Sequence, residues 1–267
     1  MEWMDREPAV AGTFYPRDPR RLAAEVSGLL RSGEPAAPAL GILSPHAGYR
    51  YSGAVAGETF AQVVVPERVV LIGPNHTGRG EPVALWPDGA FATPLGPVRV
   101  DPELTAELAD HPVIREDRVA HLREHALEVQ LPFLQVRRPG VSIAALCLGP
   151  LSLEQVEEVG RALAAALARF PALLVASSDM SHYVSARRAS ALDHRALERL
   201  LALDARGLFE TVRSEQMSMC GVVPATAMLF AARALGATQA RLVRYAHSGE
   251  ATGDLESVVG YAGALVS

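Results

Sequence analysis

At 267 residues, 49% of them hydrophobic, the chain has ample apolar material for a buried core, as one large α/β domain or two small ones. Its formal charge of −5 argues against a general nucleic-acid binder, and it holds no uncharged apolar run of about 18 residues that would span a membrane. The opening Met1–Pro8 is too acidic and polar for a signal peptide, and two cysteines, Cys147 and Cys220, make no disulfide framework, so a reduced, cytoplasmic protein is expected.

Asp18 and Pro19 open the first predicted helix as N-cap and first helical residue, with Leu22, Val26, Leu29 and Leu30 behind them at helical spacing. A loop rich in Gly, Pro and Ala over 31–38 leads to a short apolar strand over 40–44. Pro45 ends that strand, because proline has no N–H to pair, and His46 stands directly after the break. Gly48 and Gly53 flank two tyrosines, and a helical pattern follows from Ala54 to Val63. Arg68–Gly73 is the next strand, Pro74 breaks it, and His76 follows. Strand, helix and strand make a βαβ unit, which favours a parallel sheet with these two strands adjacent.

Residues 82–100 change character. The segments 82–86 and 90–93, around the turn Pro87-Asp88-Gly89, read as a β-hairpin, with Gly96–Val100 as a third strand; the whole is an insertion beside the main sheet. Asp101 and Pro102 cap a helix reaching about Ala109. In His121–Pro132, Leu122, Ala126, Val129 and Leu131 give a helical face, Glu124 and Glu128 share one side of it, and His121 and His125 form their own row. Residues 141–146 form a buried strand, and the capping box Ser152–Gln155 starts a helix to about Arg169. Strand 173–177 ends in the polar run Ser178–Tyr183. Helices follow over 187–203, 204–212 and 225–235, and strands over 241–245 and 257–266 close the chain. These elements predict one α/β domain over residues 1–267, with a central mixed, largely parallel sheet sandwiched by helices.

The strand–proline–histidine order occurs twice, and each time it presents a reactive side chain at the carboxyl end of a strand. Imidazoles brought together there would share a divalent metal, with a third ligand drawn from Cys220, Glu124, Glu128, Asp179 or His182. Histidine is the side chain suited to moving protons near neutral pH, so His182 is the candidate general acid/base, with Asp179 placed to orient its ring if the turn brings them together. Glu124 and Glu128 are either acceptors for the N–H of a ligand histidine or a solvated helix face. His121-Leu-Arg-Glu-His125 also matches the inverted zincin pattern. Cys147, in an apolar strand, reads as core, and His111, His194 and His247 read as surface residues. No serine-hydrolase elbow, phosphate loop or dinucleotide fingerprint is present.

Six motifs in order, Arg6–Pro16, Pro45–Gly53, Gly73–His76, Glu124–Pro132, Ser177–His182 and Met219–Gly221, resemble the Memo-like family, whose bacterial members are called AmmeMemoRadiSam system protein B. The resemblance runs from about Arg6 to Val266, and it implies a fold similar to class III extradiol ring-cleaving dioxygenases. Carried over by position, it implies that His46, His76 and Cys220 bind the metal. It further implies that Asp179 and His182, the candidate catalytic residues named above, line the same pocket, with Phe14 and Tyr51 on its wall. The dioxygenases hold Fe(II) with two histidines and a carboxylate; a thiolate in the third position is softer, suits Zn(II) or Cu as well, and oxidises more readily. The implied function is that of a non-heme-iron oxidoreductase acting on a small aromatic molecule or on a protein or peptide. Its implied companions are an Amme-type protein and a radical SAM enzyme. Two other readings stand beside it. One is a non-catalytic module for peptides of the phosphotyrosine type, with Arg50 and the nearby tyrosines holding the anion; the other is a zinc-dependent hydrolase.

Overall fold

Strands that are apolar on both faces need a layer of helices on each side, and four parallel strands in this chain meet that condition. The computed structural model describes residues 5–267; Met1–Met4, on which the argument against a signal peptide partly rests, lie outside the described residues. In chain order the elements begin with α1 (Pro19–Leu29), β1 (Gly41–Ser44), α2 (Tyr49–Ala61), β2 (Arg68–Pro74), β3 (Val83–Leu85), β4 (Ala90–Phe91), β5 (Val98–Val100) and α3 (Pro102–Ala109). Then come β6 (Arg115–Glu116), a 3-10 turn over Glu128–Gln130, α4 (Leu131–Arg137), β7 (Ser142–Leu148), α5 (Leu153–Arg169), β8 (Leu173–Ser177) and β9 (His182–Val184). The chain ends with α6 (Ala186–Leu201), α7 (Ala205–Ser214), α8 (Val222–Ala234), β10 (Ala240–His247), α9 (Gly249–Thr252) and β11 (Val258–Val266).

The result is a single α/β domain with a mixed central sheet in the order β10-β11-β1-β8-β2-β7-β3-β6. Residues Ile42, Val69, Leu71, Ile143 and Val175 point into a layer closed by α1, α2 and α4. Their neighbours Leu43, Val70, Ile72, Ala144, Leu146 and Leu174 point into the other layer, closed by α3 and α5 to α8. The period of two along each strand makes this division. Among the described residues no helix is long and apolar enough to cross a membrane.

One expectation about the sheet is corrected. β1 and β2 are not adjacent: β8 lies between them and pairs parallel with both. All five of its residues are buried, and the slot between β1 and β2 covers both of its faces.

The hairpin falls inside the expected segment but uses different arms. β4 pairs with β5, while β3 pairs antiparallel with β7 and parallel with β6. A strand has only two hydrogen-bonding edges, so β3 has none left for residues 90–93. Both β3 and β5 join the main sheet, sharing the outer edge of β7.

Helix α2 starts at Tyr49, not after Gly53, so both tyrosines lie in its first turn. Gly57 is required within it: a Cβ there would lie 2.3 Å from the Leu29 carbonyl oxygen of α1.

The stretch 121–132 departs most from expectation. Residues 121–127 form turns rather than a helix, and α4 begins at Leu131 with Pro132 in its first turn. Proline suits a helix start and blocks a helix running through it. The turns hold because Arg6 supplies donors in place of a helical ladder. Its Nε donates to the His121 carbonyl at 2.8 Å, and its Nη2 donates to the Glu124 carbonyl.

Candidate metal centre

The parallel strands β1, β8 and β2 end side by side, and the residues just past them converge. His46 follows β1, Asp179 follows β8, His76 follows β2, and Cys220 stands immediately before α8. One ligand atom from each of His46, His76 and Cys220 lies within 4.8 Å of the others. The rings of His46 and His76 are 5.2 Å apart, and the Cys220 Sγ is 3.2 Å from His46 Nε2.

Hydrogen bonds select the tautomer of each histidine. The Ser177 hydroxyl has one proton, which it donates to the Ala126 carbonyl at 2.7 Å. Its oxygen therefore accepts from the Gln130 amide nitrogen and from His46 Nδ1, both at 2.9 Å. His46 thus carries its proton on Nδ1 and a lone pair on Nε2, facing Cys220. Burial, with His125, His76 and His182 nearby, holds its pKa well below the usual range, so the ring is neutral.

His76 has the same arrangement with a carboxylate. Its Nδ1 lies 2.9 Å from Glu124 Oε1 and its backbone N–H donates to Oε2 at 2.6 Å, leaving Nε2 as the donor atom. Burial works against a charged His76, but Glu124 and Asp179 outweigh it and raise its pKa. Glu124 pays its own burial cost through His76 and through the amides of His125 and Ala126, and its carboxyl is held below the usual range. Donor atoms of His76, Glu124 and His125 also come within 4.8 Å of one another, but these hydrogen bonds already occupy that carboxylate.

Cys220 and Asp179 are held together. The Asp179 backbone N–H donates to Sγ at 3.2 Å, and the Asp179 carboxylate accepts the His46 backbone N–H at 2.8 Å. Burial pushes the Asp179 carboxyl up to about 6, against the pull of the His46 and Ala47 amides. Burial and the Asp179 charge push the Cys220 thiol up. Gly221 permits this approach: a Cβ there would lie 2.4 Å from the Ser177 carbonyl oxygen, and its N–H donates to Ser178 Oγ at 3.0 Å.

His46 and His76 face a cleft of about 770 Å³, whose walls include Phe14, Tyr51, His125, Asp179, His182 and Tyr261. His182 donates its backbone N–H to Ser218 Oγ at 2.7 Å, and its Nδ1 lies 2.9 Å from the Ser218 carbonyl. That carbonyl only accepts, so Nδ1 carries the proton and Nε2 is left free. No Lys or Arg lines the cleft among the described residues, and Arg50 lines a neighbouring one.

The predicted site residues divide accordingly. His46, His76, Cys220, Asp179 and Glu124 are in contact at the centre, and His182, Phe14 and Tyr51 line the cleft. Glu128 is not at the centre and shares no helix side with Glu124; it is fully buried against Arg6, Tyr15 and the amides of Ala9 and Val10. Asp179 binds the His46 amide and does not orient the His182 ring, which Ser218 holds. The inverted zincin pattern forms no site. His121 is buried against the Ala84 carbonyl and Cys147, whereas His125 stacks on His76 at 4.9 Å in the cleft. Sequence reasoning weighed His125 only with His121 in the zincin pattern, and passed over Ser177 and Gln130. The signals for Ser177 were its place at the end of a strand and at the head of the Ser177–His182 motif.

A family model described as Memo-like protein matches residues 6–265. A MEMO1 family protein of Aquifex aeolicus is 43% identical over 263 residues, covering 97% of this chain and 98% of the relative. Another, of Methanopyrus kandleri, is 40% identical over 97% of this chain and 98% of its own. A third, of Thermotoga petrophila, is 39% identical over 98% of this chain and 100% of its own.

Proposed function

The chain belongs to the Memo-like protein family, and from that premise we propose that it is a metal-dependent oxidoreductase of the non-heme-iron type, related to the extradiol dioxygenases. The observation that carries this reading is the convergence of donor atoms from His46, His76 and Cys220 beside two clefts that share His76. The donor set fits a divalent ion: both imidazoles have their Nδ1 atoms tied back so that Nε2 faces the centre, and the thiol and any charged ring give up a proton when a metal binds. Iron(II) held there would supply open coordination positions for a substrate and for dioxygen.

The chain's own residues do the rest. His182, with Nδ1 fixed by Ser218, offers Nε2 to take a proton from a substrate hydroxyl. Phe14, Tyr51 and Tyr261 give the cleft aromatic walls, which suit a small aromatic substrate and displace water from it. Companion proteins of the Amme and radical SAM types are part of the proposal on family resemblance alone. A zinc hydrolase is the second reading, favoured by the cysteine in the donor set. The phosphotyrosine-type module has less support, because no cationic side chain lines the cleft among the described residues.

The test is elemental analysis of protein purified without added metal under low oxygen, beside a His46→Ala/His76→Ala double variant and Ser177→Ala. Roughly one iron per chain in the parent, none in the double variant, and oxygen uptake with catechols would support the proposal. Ser177→Ala is expected to lose about 10- to 100-fold in metal affinity, since it frees the His46 ring. Stoichiometric zinc would favour the hydrolase, and no metal in any form after reconstitution would favour the binding module.

A further inference from the structure

A second cleft reaches the same centre from another side. It measures about 480 Å³ and is lined by the end of β7 (Leu148), the β7–α5 connection (Pro150), the α7–α8 connection (Met217, Met219) and the start of α8 (Val222, Val223). Cys220 lines this cleft and not the one holding His182; His46 lines only the latter, and His76 lines both. Pro150 and Arg213 also border an outer hollow of about 760 Å³, lined by Leu151, Leu153 and Phe209, with Glu210 exposed at its margin.

Of the polar groups that line this cleft, Asn75 is committed to its own loop, while Arg213 and Gln216 stand exposed. Arg213 donates to the Leu151 carbonyl at 3.2 Å and lies 4.8 Å over the Phe209 ring. Asn75 folds onto its own loop, accepting from the Thr77 and Gly78 amides and donating to the Arg79 carbonyl. Along the buried side chains of Met217, Met219 and Val223 beside Cys220, an ion or a strongly hydrated molecule would lose water without gaining partners, whereas a small apolar molecule would lose little.

We propose that the centre has two entrances, and that the apolar cleft beside Cys220 admits a small uncharged reactant of the size and polarity of dioxygen while a larger substrate occupies the His182 cleft. The reactant's identity rests on the oxidoreductase reading; the entrance does not.

The test uses metal-free full-length protein and methyl methanethiosulfonate, a small neutral thiol reagent, with labelling of Cys220 followed by mass spectrometry and buried Cys147 as the unreactive reference. Val222→Trp fills the second cleft at a half-buried position, and Ser257→Trp obstructs the His182 cleft at an exposed one. Val222→Trp is expected to slow labelling by about tenfold, with Ser257→Trp within about twofold of the parent. If Val222→Trp does not fold, Met217→Phe takes its place. Equal slowing by both variants, or slowing by Ser257→Trp alone, would overturn the second entrance. Because labelling needs no metal, that failure is separate from a failure to find iron. In iron-loaded protein, the same variant is expected to raise the KM for dioxygen and leave that for the organic substrate unchanged. The opposite pattern would overturn dioxygen as the occupant.

Discussion

His121 lies beside Trp86 and Phe91, with Nε2 3.0 Å from the Ala84 carbonyl and Nδ1 3.4 Å from Cys147 Sγ. The carbonyl accepts only, so Nε2 carries the proton and Nδ1 receives the thiol. Burial lowers the ring's pKa from 6.5 to about 4. As pH falls, the unfolded chain takes up this proton first. The stability owed to a neutral His121 is therefore complete above pH 6.5 and is lost progressively down to about pH 4. The gap between the two values corresponds to about 3 kcal/mol. Urea unfolding across that window checks it: a His121→Gln variant is expected to be weaker at neutral pH and to lose less on acidification. An unchanged slope would assign the acid sensitivity to other groups. In the sequence His121 and His125 look equivalent, one helical turn apart, and only their surroundings separate a core side chain from a cleft side chain.

The elements that carry the site were legible wherever a local rule acted alone. Alternating apolar runs, prolines after β1 and β2, and the Asp18 and Ser152 caps all act over a few residues. Where a distant partner intervened, the pattern misled. Residues 121–127 carry helical periodicity, yet their carbonyls bind Arg6 and their amides bind the Glu124 carboxylate. Gly221 shows the same dependence at the start of α8, because the close approach of Ser177 and Ser178 requires a glycine there. Gly221→Ala is expected to push the start of α8 from β8 at a cost of about 1–3 kcal/mol, and to draw Cys220 away from His46. Thermal melting reads the first effect, and loss of the thiolate absorption band in cobalt-substituted protein reads the second. A variant that melts lower but keeps that band would show that packing alone depends on Gly221.

Across the whole molecule, the segment before α1 is tied to the loop that carries Glu124. Arg6 and Glu128 form a fully buried ion pair at 2.7 Å, and Tyr15 donates to the same carboxylate at 2.6 Å. Through the His121 and Glu124 carbonyls, Arg6 fixes the backbone from which Glu124 reaches His76. Arg6→Met would leave Glu128 buried without its cation, at a cost of about 3–5 kcal/mol. Urea unfolding and zinc titration are expected to show lost stability together with weakened metal affinity. Full stability with normal affinity would mean that the amides of Ala9 and Val10 suffice to hold the carboxylate.

The sequence alone determined the layered α/β architecture, the strand ends that carry His46 and His76, and the family, because periodicity, caps and breakers act locally and motifs are read in order. Strand neighbours, tautomers and the separation of His121 from His125 came only with the folded molecule. β8 takes the slot between β1 and β2 because that is where both of its apolar faces are covered. Ser177, Gln130 and Cys220 meet His46 through contacts spanning 131, 85 and 174 residues of chain for the pairs Ser177–His46, Gln130–Pro45 and Cys220–His46. No local pattern encodes contacts of that range, since they depend on the sheet order and on which groups burial leaves in need of a partner.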